Sequence, residues 1–495
     1  MINSFLLAVL MGVSLEGRDI QLEDMRVSAC PFNRVWTGKQ RTTDQTKLAK
    51  FVSFDLEKPQ TLEIRGVPAN AKAKLFPLSE ANRLVRKDGV LKLHIDRPTQ
   101  YVIDFGGAAP DLHVFADPPF TYRHVPGELY FGPGEHDAGV IAPTNGQTVC
   151  FDRGAVVYGA LFLDSVTNVN VVGRGILDNS RFSRADERAQ AFRRSRGLSP
   201  HDTEFGCHAC VIYRSENVRF DGFIIRDTPL WALIARSGSR HIVIDNIKIV
   251  GQWRYNSDGI DICASSDVLV KNCFVRTFDD CLVVLGAYLD TLAYVSENIH
   301  FENCRCWCDW GATFKIWSPP HTNTVRNVTV SDCAFLHNFS TPIHVKDTCS
   351  SADTRIENIV FDRIEMDYDE LPLKMVLQES DEARYPGDSR EDRVTLGWHL
   401  CGWPSVDHGN QKFVRIENPV GQHSLISNVV YRNFAFPGLQ PKLVSRFETS
   451  VSNQFIRDVR FEGMPPIESE ASGEGIELPK NDDWGFCGDR PRKPQ

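Results

Sequence analysis

A chain of 495 residues is too long for one ordinary core and calls for several domains or one long repetitive one. Hydrophobic residues make up 42% and charged ones 24%, which excludes wholesale disorder. A net charge of -9 leaves no basic footprint for nucleic acid, and no segment approaches the ~18 uninterrupted apolar residues of a membrane span, so a soluble chain is expected.

In chain order, the apolar run Phe5 to Val13 has no Lys or Arg before it and no small-x-small site after it. It fits a first strand better than an export signal. Residues 1–118 then read as short strands with turn signals, "QTLEIRGVP", "GVLKLHIDRP", "TQYVIDFGG" and "LHVFADPP". Alternation with Gly/Pro punctuation predicts a small antiparallel β-sandwich ending near "ADPPF". "FGPGEH" at 131–136 reads as a turn between strands, since no Lys-Ser/Thr and no helical pattern follow it.

From there to about residue 470 one phrase recurs: apolar, any, apolar, any, Asn/Asp/Gly, then apolar or Cys. It reads "VRFDGF" from Val218, "IVIDNI" from Ile242, "VLVKNC" from Val268, "IHFENC" from Ile299, "VTVSDC" from Val328, "IVFDRI" from Ile359, "VVYRNF" from Val429 and "VRFEGM" from Val459, with a looser "VNVVGR" from Val169. A unit of this size cannot bury its apolar face alone, and stacking successive units creates one continuous core. The expected fold is all-β, a right-handed parallel β-helix over 119–470 behind the N-terminal sandwich, with a C-terminal tail over 471–495. Asn or Asp at the fifth place suits a tight corner.

Cys273, Cys304 and Cys333 share one place in successive coils, and Cys304, Cys306 and Cys308 alternate along one strand. Buried core positions are favoured over metal ligands for all of them. Cys207 and Cys210 have the spacing of half a zinc site without a second pair at a usual distance. Residues 183–197 carry the one helical pattern, mostly charged, and read as a solvated excursion. An insertion over 367–412 interrupts the repeat and could wall one end of a groove.

Asp258 and Asp279 lie 21 residues apart, close to one coil. Laying "DGIDICAS" over "DDCLVVLG" sets Asp258 beside Asp279 and Asp280 beside Gly259. Neighbouring strands are ~4.8 Å apart, so the three acids form a cluster whose mutual repulsion raises at least one pKa. Turn-forming aspartates are the bland reading. A hydrolytic site is the favoured one, because glycoside hydrolysis needs one protonated acid and one carboxylate. Strand register leaves both the short retaining and the longer inverting separation open.

"NSDG", with "DDC" one coil later on a stacked β-helix, resembles glycoside hydrolase family 28, the polygalacturonases, and its clan relative family 49, the dextranases and isopullulanases. The resemblance implies an inverting reaction with Asp279 as general acid, Asp258 and Asp280 holding the attacking water, and Asn256 beside them. It also implies work outside the cytoplasm. Where polygalacturonases carry Gly-His-Gly and Arg-Ile-Lys, this chain has "DWGATFKIWS" and "TPIHVKD". Lys315, His344 and Lys346 could still bind an acidic sugar, and a neutral α-glucan becomes the alternative. Trp231, Arg254 and Trp317 are further candidates for contact with a polysaccharide or oligosaccharide, and Trp231 could equally be core. No metal or organic cofactor is implied. A polysaccharide lyase and a non-catalytic carbohydrate-binding β-helix remain as rival classes.

Overall fold

The computed structural model describes residues 11–29, 43, 46–184, 186–197, 208–286, 295–318, 324–338, 342–347, 354–367, 414–418, 424–437, 443–449 and 454–478. Residues 5–10, Cys207, the insertion from 368 to 412 and the tail from 479 lie outside them.

The N-terminal strands form two five-stranded sheets. Leu62, Ile64, Leu91 and Leu93 of one sheet pack against Val52, Tyr101, Ile103 and Val114 of the other, the inward halves of the alternating segments. The sandwich is not wholly antiparallel as expected. Leu112–Asp117 runs parallel to Thr46–Asp55, with Val114 opposite Val52, because the last strand enters the middle of its sheet, between Thr46–Asp55 and Thr99–Asp104.

From Leu129 onward each coil contributes strands to parallel faces. One coil holds Arg240–Asp245, Lys248–Val250 and Ile260–Cys263, and the next Ser266–Lys271, Phe274–Thr277 and Leu282–Leu285. Inward Val and Ile of the repeated phrase are fully buried in one column, among them Val218, Ile242, Val268, Ile299, Val328 and Ile359. Each such side chain contributes roughly 1.5–3 kcal/mol of burial. The fifth residue of the phrase has positive φ throughout, as at Gly222, Asn246, Asn272, Asn303, Asp332, Arg363 and Asn433. These are the left-handed corners that favour Asn and Gly. A second corner carries an asparagine ladder not read in the sequence, in which Asn327 Nδ2 donates to Asn298 Oδ1 (3.0 Å) and Asn358 Nδ2 to Asn327 Oδ1 (3.1 Å). Cys273, Cys304, Cys306, Cys308 and Cys333 are buried in the core.

The excursion forms an α-helix, Glu187–Ser195, from good helix formers with an acid in its first turn. It is not solvated on every side. Ala189 packs with Ala160 and Phe182, and the Phe192 ring lies edge-on to Phe162 at 5.2 Å, because this short apolar face covers apolar side chains on the outside of the coil.

The sandwich packs on the outer face of the second strands, where Phe51, Phe76 and Phe115 meet Ile224, Phe274 and Trp307. A fully buried ion pair crosses the same boundary. Lys248 Nζ donates to Asp117, which also accepts from Asn246 Nδ2 (2.9 Å) and Ser53 Oγ (3.0 Å). Burial pushes the Lys248 pKa down, against the pull of Asp117. Breaking one side of such a pair strands a buried charge. Lys248→Met is therefore expected to destabilise the protein by about 3–5 kcal/mol, and Lys248→Met with Asp117→Leu to recover most of that in urea unfolding.

Candidate active site

The acids sit where the chain turns from the second to the third strand of each coil. Asp258 ends the turn before Ile260–Cys263, and Asp279 and Asp280 lie between Phe274–Thr277 and Leu282–Leu285. The pairing differs by one residue from the sequence expectation. Ile260 lies opposite Leu282 and Ile262 opposite Val284, while the Gly259 N–H donates to Asp280 O at 2.9 Å. Asp258 is thus level with Asp280, and Gly259 with Cys281. The expected register would have placed Asp261 beside core Leu282. Keeping Ile260, Ile262, Leu282 and Val284 all inward forces the slip, because a one-residue shift turns every side chain to the other face.

The three carboxylates still converge. An oxygen from each of Asp258, Asp279 and Asp280 lies within 4.8 Å of the others, and all three residues are buried. A water bridging two oxygens at such a separation keeps both hydrogen bonds near ~2.8 Å. The turn is held from several sides. Thr277 Oγ1 donates to Asp279 O (2.5 Å) and Cys308 Sγ to the same oxygen (3.4 Å). Phe278 stacks on Trp310 at 5.0 Å, and Tyr255 meets that indole at 6.0 Å.

The acids differ in their partners. Asp280 Oδ1 accepts the Ala312 N–H (2.7 Å) and its Oδ2 accepts Lys315 Nζ (2.9 Å). Asp279 Oδ1 accepts the Asp280 N–H at 3.0 Å. Asp258 Oδ1 has no hydrogen-bond partner among the described residues. Burial first, then Asp279, Asp261 and Asp280, push the Asp258 pKa well above the carboxylate range. A fourth acid was not singled out in the sequence. Asp261 is completely buried with both oxygens unpartnered among the described residues. Burial, then Asp280 and Asp279, raise its pKa well above normal. It interrupts an outward apolar row, between Ile234 and Val283, that the pairing of the coils creates.

Gly311 makes the cluster possible. A Cβ there would lie 2.6 Å from Asp279 C and Asp280 N and 2.7 Å from Asp280 Oδ1. Gly311→Ala is expected to lower turnover by at least about tenfold by displacing both acids, since ångström-scale misplacement costs up to ~100-fold. An unchanged kcat in a folded variant would refute the tight fit.

The other predicted residues divide. Lys315 reaches Asp280 and lies 5.8 Å from the Trp317 ring centroid, so it is not a free substrate clamp. Trp317 and His344 are half-buried on the same outer face, and Lys346 is buried beside them. Arg254 turns away to Asp227, with further bonds to Asp227 O (3.2 Å) and Thr228 O (3.1 Å), because that half-buried acid needs a counter-charge. Trp231 is buried with Val211, Ile234 and Val283, 5.4 Å from the His208 ring. Asn256 is a left-handed turn residue with φ 54°. Its Oδ1 accepts Arg184 Nη2 at 2.5 Å. Arg184 lies at the start of the excursion, before the helix Glu187–Ser195, and nothing in the sequence tied it to the turn.

A recess of about 680 Å³ on the N-terminal domain involves different chemistry. Its Glu80 is already engaged by Tyr101, Arg83, Arg97 and Arg305.

The family model described as Glycosyl hydrolases family 28 matches residues 157–377, a span holding all four acids and Lys315. A probable polygalacturonase of Arabidopsis thaliana is 31% identical over 121 residues, covering 24% of this chain and 25% of that protein. A dextranase of Arthrobacter globiformis is 24% identical over 233 residues, covering 42% and 32% respectively. Among solved structures, Dex49A from Penicillium minioluteum aligns with a TM-score of 0.53 at 12% identity, covering 90% of this chain and 88% of that one, a likeness of fold. The chain spans a quarter to a third of the length of these curated relatives. The class is therefore a right-handed parallel β-helix of the glycosidase type. Within it, the chain is family 28-like over residues 157–377, with a likeness to dextranases.

Proposed function

We propose that this chain is an inverting glycoside hydrolase that cleaves α-linked polysaccharide or oligosaccharide. Four buried carboxyls face one ammonium, so full ionisation would concentrate three uncompensated negative charges, and protons must be retained. Asp280, bonded to Lys315 and a backbone N–H, is the fixed carboxylate. Asp279 donates its proton to the leaving oxygen, while Asp280 deprotonates the attacking water that it holds with Asp258. The inverting outcome and the role of Asp279 come from the family resemblance. The observation that carries the hydrolytic reading, as distinct from its stereochemistry, is the convergence of the three acids within 4.8 Å across adjacent coils.

For the substrate, the engagement of Lys315 by Asp280 favours a neutral α-glucan over a pectic uronate, since the ammonium is already balanced. The dextranase likeness points the same way. The pectic reading draws on His344 and Lys346 further along the same face. Reducing-end release from polygalacturonate, rhamnogalacturonan, dextran and pullulan decides between them. The anomer of the first product, read by NMR, tests inversion. Release with retained configuration would overturn the mechanism, and an ultraviolet-absorbing unsaturated product would make the protein a lyase.

A further inference from the structure

The outward row of the third strands runs Ile234, Asp261, Val283, Lys315 and His344 in successive coils. Asp261 and Lys315 are two coils apart with an apolar valine between them, and the cluster of acids lies beside this row. Two of its members, Asp258 and Asp261, are buried and carry carboxylate oxygens without partners among the described residues. Asp258, Asp279 and Asp280, with oxygens 4.8 Å apart or less, make the kind of carboxyl set that a hard divalent cation takes in other proteins. Beside it, Lys315 Nζ sits 2.9 Å from Asp280 Oδ2. Burial alone would lower the Lys315 pKa, but Asp280, then Asp279 and Asp258, more than offset it and hold the charge on, although 24% of the side chain is exposed.

We infer that Lys315 is the internal counter-cation of the acid cluster, a positioning residue that fixes Asp280 toward the attacking water and fills the place of a divalent metal ion. The assignment of the water to Asp280 rests on the hydrolase reading above; the counter-cation role does not. Lys is suited to this, as a compact point charge on a flexible stem. Three features fix its place: its strand position opposite Val283, its cation–π contact with Trp317, and the second Asp280 oxygen held by the Ala312 N–H. Removing the ammonium while keeping the stem, as in Lys315→Met, leaves the carboxyls facing one another without a counter-charge.

The test compares wild type, Lys315→Met and Lys315→Arg in two assays. In thermal unfolding with Mn²⁺ or Ca²⁺ against chelator, Lys315→Met is expected to gain a saturable stabilisation with Kd on the order of 10⁻³ M or tighter. Wild type and Lys315→Arg are expected to show none, and adding Asp261→Asn to Lys315→Met is expected to weaken the gain. In hydrolysis of whichever polymer wild type cleaves, Lys315→Met is expected to lose about 10²-fold in kcat with KM nearly unchanged, and Lys315→Arg to recover part of it. Cation capture by Lys315→Met without turnover by wild type on any glycan would keep the counter-cation and remove the hydrolase reading. Active wild type with a Lys315→Met variant that neither binds Mn²⁺ nor loses kcat would overturn the counter-cation alone.

Discussion

Asp279→Asn and Asp280→Asn are each expected to lower kcat on the cleaved polymer by about 10²–10⁴-fold, the usual contribution of a positioned acid or base. The two variants should fail in different ways. Asn at 279 can still accept the Asp280 N–H through its amide oxygen, so the turn stays in place while the proton for the leaving oxygen is gone. Activated substrates whose leaving group needs no proton, such as a nitrophenyl glycoside of the accepted sugar, should therefore recover much of the lost rate with Asp279→Asn. They should not do so with Asp280→Asn, which removes the carboxylate paired to Lys315. Equal recovery in both would reverse or void the assignment of roles, and full activity of Asp279→Asn on the polymer would exclude it as the acid. The residual rate in each variant is informative as well, because groups acting as one unit give strongly non-additive losses.

Asp261→Val is expected to stabilise the protein by about 1–3 kcal/mol near neutral pH, the usual penalty of a buried polar group without partners. Its neighbours on the outward row are Ile234 and Val283, so valine continues an apolar column. The pH dependence follows from the direction of the shift. Burial and the nearby Asp280 and Asp279 raise the folded-state pKa of Asp261, with Lys315 opposing them; in the unfolded chain an aspartate titrates near ~3.9. A raised acid contributes stability that is complete below its unfolded pKa and is lost as pH rises through its folded pKa. Asp258 shifts in the same direction. Wild type should therefore lose stability between about pH 4 and neutrality from this source. The gain from Asp261→Val should be small at pH 4 and large at pH 7 when the urea midpoint is followed. A gain independent of pH would mean that packing alone is responsible, and a loss would mean that Asp261 has a partner in solution. Turnover should fall in the same variant, since stability lost to a buried acid at a reactive cluster is commonly exchanged for activity.

Asp258, Asp279 and Asp280 were legible because "NSDG" and "DDC" put acids at nearly one coil's spacing in a chain whose repeat was already evident. Asp261 is not legible in the same way, because a single acid in "GIDICAS" reads as an ordinary outward residue of a half-exposed strand. Only the stacking of Ile234 and Val283 on either side, beneath the acids, makes it buried. Lys315 reads in the sequence as a substrate clamp, because its distance from Asp280 in the chain says nothing about the direction of a flexible side chain.

What the sequence determined alone is the periodic part. The alternation of apolar residues, the left-handed corners marked by Asn and Gly, and the cysteine positions each follow from local backbone and burial rules that act on every coil alike, so the repeat carries the β-helix in its spacing. Tertiary structure decided what depends on relative register and on side chains meeting across coils. The core requirement on Ile260 and Leu282 moved Asp258 level with Asp280. The excursion brought Arg184 onto Asn256, Arg254 turned back to Asp227, and Lys315 closed on Asp280. These contacts are set by charge balance in buried space, which a linear pattern does not encode.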